Sequence, residues 1–223
     1  MKIAHPVLSS PIELKENIVN VLVVENKKMF TQLVFELLEQ VKGNDGEFVI
    51  SEDDTPKDIS KTIDLVLDVF TLDLNSKKIL TKIYKDLEEI AIGADYYEKT
   101  TNLRHAIFEL VDSIIQSSEQ ELICDEEFDI QKIFKGLNLR MRDEYDSLVE
   151  KITNYIETMS EIFRIKCFVL VNIKSLFNEE DLNLFYKQMF YKKINILLLE
   201  SIHFKKVECE KIIIFDDDMC QIS

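Results

Sequence analysis

Short apolar runs separated by longer amphipathic stretches set the layout of this chain. Residues 18–24, 48–50, 63–70, 167–171, 194–199 and 211–215 are rich in Val, Ile and Leu, and are short enough to be strands buried on both faces. Such runs predict a largely parallel sheet. Between the first two, Phe30, Leu33, Val34, Leu37, Leu38 and Val41 fall on one face of a helix over residues 27–41, which stops at Gly43-Asn44-Asp45-Gly46. Strand, helix, turn and strand read as one βαβ unit. A second is read from residues 168–171 through Leu182, Phe185, Met189 and Phe190 to residues 194–199. The sheet therefore draws on both ends of the chain.

The middle follows a different period. Residues 76–118 carry Ile79, Leu80, Ile83, Leu87 and Ile90, a break at Ile92-Gly93-Ala94, then Leu103, Ile107, Leu110, Val111, Ile114 and Ile115. In residues 146–165, Leu148, Ile152, Tyr155, Ile156, Met159, Ile162 and Phe163 recur at spacings of three and four. These stripes predict antiparallel helices packed on one another, part of which faces either core or another subunit. Asn75-Ser76 reads as the helix start. The pattern thus divides into an α/β head, residues 1–75 and 166–223, and an inserted α-helical leg, residues 76–165. With only three prolines, all before residue 57, and no Gly- or Ser-rich linker, head and leg are joined directly.

An α/β head of this kind ordinarily holds a phosphate loop after its first strand. Val21-Leu22-Val23-Val24-Glu25-Asn26-Lys27-Lys28 occupies that junction and contains no glycine. A phosphate cradle turns several backbone N–H groups toward one anion, which needs residues without a Cβ or with φ > 0. The four glycines, 43, 46, 93 and 136, form no such motif. Asp68 and Asp73 flank a strand end in LDVFTLD like a magnesium-binding acid, but with no phosphate loop to serve they are read as turn hydrogen-bonders. The three histidines lie in unrelated segments, and no GxSxG, HExxH or Cys-with-His pattern is present. The chain reads as non-enzymatic, with a degenerate nucleotide-binding ATPase kept as an alternative.

Composition adds a constraint. The formal net charge of −15 favours a basic partner over nucleic acid, so an acidic protein-binding adaptor is a second alternative. Four cysteines without CxxC spacing read as reduced thiols, and no run is long enough to cross a bilayer, so a cytoplasmic protein is expected. Against this background, Glu119, Glu121, Asp125, Glu126, Glu127 and Asp129 place six carboxylates in eleven residues. Irregularly spaced carboxylates suit a hard cation taking six to eight oxygens, although the EF-hand pattern is absent. Asp216-Asp217-Asp218 reads as a solvated acidic turn. Basic residues occur as Lys27-Lys28, Lys77-Lys78 with Lys82 and Lys85, Arg140 with Arg142, Lys192-Lys193 and Lys205-Lys206. They neutralise phosphates only if the fold gathers them.

The segments PIELKENIVNVLVVENKKMF, VFTLDLNSKKILTKIYKDLE, ELICDEEFD, IFKGLNLRM, CFVLVNIKSLFNEEDLNLFYKQMF and INILLLES, in this order and spacing, resemble the small accessory protein of type II-A CRISPR loci that acts in spacer acquisition. The resemblance implies a P-loop-like head that has lost its phosphate loop, an inserted helical leg and a ring-shaped homotetramer. It also implies sequence-independent binding of double-stranded DNA at free ends through a lysine-lined hole, with calcium holding the competent ring. The locus's integrase and effector nuclease are the implied protein partners. Carried onto this sequence, it makes Glu119, Glu121, Asp125, Glu126, Glu127 and Asp129 the pool of calcium ligands. Lys27 and Lys28 at the first junction of the head, with Lys132 and Lys135 beside the acidic stretch, are the candidates for DNA contact.

Overall fold

The computed structural model describes residues 1–222, which form two compact units, residues 1–73 with 144–222 and residues 74–143. In chain order the elements are β1 (Lys2–Ala4), β2 (Ile12–Glu13), β3 (Val19–Val24), α1 (Lys27–Val41), β4 (Val49–Glu52), β5 (Thr55–Lys57), α2 (Ile59–Thr62) and β6 (Ile63–Val66). They continue as α3 (Lys77–Ile92), α4 (Tyr97–Gln116), α5 (Ile130–Gly136), α6 (Leu148–Phe163), β7 (Cys167–Val171), α7 (Glu179–Tyr191), β8 (Asn195–Glu200), β9 (Glu210–Phe215) and β10 (Gln221–Ile222).

The first unit is built on a six-stranded sheet in the order β10-β9-β3-β8-β7-β6, in which only β10 runs antiparallel. All six residues of β3 are buried, as are four of five in β7 and five of six in β8. That is the signature of strands covered on both faces, and it explains their continuous Val/Ile/Leu character. On one face Leu33 and Leu37 of α1 pack with Leu22, Val24, Val169, Leu197 and Leu199. α6 also belongs to this unit, burying Val149, Ile152, Ile156 and Met159.

Two expectations change here. The segment at 48–50 does not join the main sheet. β4 pairs antiparallel with β1 and β5 in a separate sheet ordered β2-β1-β4-β5. A three-residue apolar run carries no information about which sheet edge it meets. The leg boundary also differs, because residues 144–165, grouped by their period with the leg, fall within the head unit. An apolar stripe at helical spacing reports that a face is covered, not by what. The late βαβ unit, β7–α7–β8, has the expected parallel pairing.

The second unit holds α3, α4 and α5. Tyr84 of α3 donates its hydroxyl to the Leu139 carbonyl at 2.6 Å, and Asn75 exchanges two hydrogen bonds with the Met141 backbone. This use of Asn75 leaves Ser76 as the N-cap of α3, without a side-chain capping bond. The 20-residue α4 has no buried residue, and Leu110 and Ile114 are exposed along it.

Candidate functional site

In an open parallel sheet, ligands bind outside the carboxyl ends of the strands, where neighbouring connections diverge. β3 lies between β9 and β8, so that place here is bounded by the segments following β3, β9, β8 and β7. After β3, Asn26 takes the position of a phosphate loop. Its Oδ1 accepts the Met29 N–H at 3.0 Å and caps α1, while its Nδ2 donates to the Asp217 carbonyl at 2.8 Å. The side chain thus joins the start of α1 to the turn after β9, where Asp216 caps its own turn through the Cys220 N–H. After β7, Asn172 adopts a left-handed conformation and accepts from the Ser201 N–H and hydroxyl at 2.8 and 2.9 Å. No glycine-lined cradle is present among the described residues of this edge, and its acids, Glu25 and Asp216 to Asp218, repel phosphate.

A buried ionic network runs from this edge to the start of β9. Lys174 and Glu210, 3% and 0% exposed, pair at 2.7 Å. Glu210 also accepts the Tyr186 hydroxyl at 2.7 Å and the Val207 N–H at 2.8 Å. Glu200 ends β8 with Oε1 accepting the Lys174 N–H at 3.1 Å and Oε2 unpartnered. Burial pushes the Glu200 carboxyl up to about 7, against the opposing pull of the Lys174 backbone and ammonium. Burial, then Glu210, raises the Tyr186 hydroxyl. Such a network was invisible in the sequence, since Lys174 and Glu210 are 36 residues apart.

The acidic stretch lies in the second unit. Residues 119–129 form no helix or strand, and all six carboxylate residues are exposed except the half-buried Asp129. Asp129 caps α5 through the Gln131 N–H at 2.9 Å. Arg104 of α4 donates to the Glu126 carbonyl at 3.2 Å. A cavity of about 520 Å³ lies between α4 and the stretch, lined by residues including Arg104, Asp112, Cys124 and Glu126. Lys132 and Lys135 are exposed on α5, immediately after the acids. Lys27 and Lys28 are exposed in the first turn of α1, in the other unit.

The six acids do not close on a common point. Among the described residues the one group of three potential ligand side chains within 4.8 Å of one another is His5, Glu36 and Glu47. There, His5 Nδ1 accepts the Val7 N–H at 3.2 Å, which leaves the proton on Nε2, 3.4 Å from Glu36. That tautomer makes His5 a hydrogen-bond donor to the carboxylate, not a metal ligand. The all-oxygen, solvent-facing donors of residues 119–129 retain the chemistry a hard cation requires.

These features define an α/β protein with a doubly wound parallel head, a helical insertion and no phosphate cradle. The chain belongs to the CRISPR-associated protein family Cas_Csn2, whose sequence profile matches residues 40–219. Its fold is similar to that of Stu0660 of Streptococcus thermophilus, with 15% identity and a TM-score of 0.61 over 97% of this chain and 75% of that one. The cbiO1 ATP-binding component of a Clostridium perfringens ABC transporter is similar at 12% identity and a TM-score of 0.46, over 93% and 77% of the two chains. That likeness is too distant to carry a functional argument. No curated protein sequence matches the chain. Among the described residues, no helix is long and apolar enough to cross a membrane.

Proposed function

We propose that this CRISPR-associated protein is a non-catalytic, cytoplasmic binder of double-stranded DNA, acting at free ends without sequence preference. It works as a calcium-stabilised homotetrameric ring that supports spacer acquisition alongside the integrase and effector nuclease. The observation that favours a binding role over nucleotide hydrolysis is Asn26, whose side chain bridges α1 to the Asp217 carbonyl where a phosphate loop would stand. Membership of the family and the carboxylate density of residues 119–129 support the rest.

Calcium supplies both charge and order in this reading. Glu119, Glu121, Asp125, Glu126, Glu127 and Asp129 would hold it, offsetting part of a negative charge that a tetramer multiplies fourfold. The ordered stretch then sets Lys132 and Lys135 toward the DNA with Lys27 and Lys28. The contacts go to phosphates only, so affinity falls steeply with salt while base sequence has little effect.

The reading is tested by light scattering with a calcium titration. A tetramer that forms with calcium and dissociates in chelator, and that Glu126→Gln/Glu127→Gln weakens, is the expected result. A calcium-independent particle size that this variant leaves unchanged would remove the metal from the account.

A further inference from the structure

β8 and β9 both run parallel to β3, so the chain that leaves the carboxyl end of β8 must cross back to the amino end of the sheet before β9 begins. It does so in residues 201–209, which form neither helix nor strand, although such a crossover usually takes about a dozen residues or more and a helix. The strap is held to the head by polar bonds. Ser201 donates its N–H and hydroxyl to Asn172 Oδ1 at 2.8 and 2.9 Å, the Lys205 carbonyl accepts from Lys174 Nζ at 3.1 Å, and the Val207 N–H donates to Glu210 Oε2 at 2.8 Å. On the surface Lys205 pairs with Glu179 at 3.0 Å. The far end is fixed where the Cys209 carbonyl accepts the Val19 N–H at 3.0 Å.

Two of these bonds end on the buried ionic network, whose charges do not balance. Glu200 and Glu210, 0% and 3% exposed, are two carboxylates beside one buried ammonium, that of Lys174. Lys174 Nζ is committed to Glu210 and to the Lys205 carbonyl of the strap. Glu200 Oε1 accepts the Lys174 N–H, and Oε2 has no partner. Tyr186 of α7, which donates to Glu210, and Cys209 at the end of the strap are the other titratable groups of the cluster among the described residues, and the ladder partner of Glu200 on β3 is Val23. With Glu200 neutral the cluster carries no net charge. With Glu200 ionised it carries one excess negative charge away from water, a state relieved only by letting water reach Oε2. β8 is locked between β3 and β7, and α7 is held by its own helical bonds, so the irregular strap is the element that yields.

We propose that residues 201–207 are a proton-controlled latch, closed over the network while Glu200 is neutral and lifted to admit water when Glu200 ionises, with Lys174 giving up the Lys205 carbonyl. The closed form is favoured below the ordinary carboxylate value of 4.5, loses ground as pH rises toward about 7, and changes no further above it. The opening is local and leaves the parallel sheet intact.

The test is native-state hydrogen exchange on the full chain, read residue by residue as protection factors at about pH 5 and about pH 7.5. Between these the Ser201 and Val207 amides are expected to lose protection at least about tenfold, and at the higher pH to be at least about tenfold less protected than Leu198 in the middle of β8. Low urea separates local opening from unfolding: it speeds exchange at Leu198 and leaves the two strap amides nearly unchanged, because lifting the strap exposes little surface. Glu200→Gln is expected to abolish the pH dependence at Ser201 and Val207. Ser201→Ala lowers their protection alike at both pH values, and His203→Gln, which removes the histidine of the strap, leaves the pH dependence intact. Equal protection of the wild-type chain at the two pH values, or strap amides that follow Leu198 in urea, would overturn the proposal without any variant. So would a pH dependence that survives Glu200→Gln or is lost in His203→Gln.

Discussion

Glu200 shows how much the environment of one side chain decides. Its carboxyl is completely buried at the end of β8, with Oε2 unpartnered and Glu210 close enough to oppose ionisation. Its folded value of about 7 lies above the ordinary carboxylate value of 4.5. The stability this contributes is full below the unfolded value and is lost as pH rises through the folded one. Glu200→Gln is therefore expected to stabilise the protein at pH 8 by about 1–3 kcal/mol and to have little effect at pH 4.5, read by urea denaturation at both. An equal effect at the two pH values would mean that Glu200 titrates alike in the folded and the unfolded chain. The neighbouring pair behaves oppositely. Lys174→Met strands Glu210 in the interior and should cost about 3–5 kcal/mol, whereas an exposed pair such as Lys61 with Asp58 should cost under about 1 kcal/mol. None of this was legible in the sequence, because residues such as Lys174 and Glu200 carry no spacing signal until the sheet brings them together. Asp68 was legible: its carboxylate accepts the Phe70 N–H two residues on, the local bond that Asp ordinarily makes in turns.

Elements with a full apolar period were read well, and those without one were not. α1 spans Lys27–Val41 as predicted and ends at Gly43, whose φ of +97° is open to glycine at little cost. The break between α3 and α4 falls at Gly93. By contrast β1, β2, β5 and β10 are two or three residues long, too short for any alternation to register. α6 had the right period but the wrong neighbours. Its Ile152 is fully buried in the head unit, so Ile152→Ala should cost about 2–5 kcal/mol in chemical denaturation. Leu110 on α4, 62% exposed, should cost less than about 0.5 kcal/mol in the same substitution. A small loss at Ile152 would place α6 outside the core.

On the scale of the whole head, charge is distributed along the strands. The carboxyl edge carries Glu25 and Asp216 to Asp218 with Lys27 and Lys28, and the amino edge carries Lys57, Lys61, Arg164 and Lys166 with Glu52 and Asp58. The net charge of −15 averages over both edges and so describes neither of them. The parallel sheet and missing phosphate loop were legible because they depend on local runs and on glycine. The proposed metal site and oligomer depend on atoms outside one chain, which no pattern within residues 119–129 encodes. The central claim is that a calcium-held ring passes over DNA ends. It is tested most directly by gel retardation of linear and covalently closed circular duplexes of equal length, at about 0.15 M salt, where lateral phosphate contacts are screened. Retardation of the linear form alone, in calcium and not in chelator, is the predicted result. Equal retardation of both forms, or retardation that survives chelation, would contradict it.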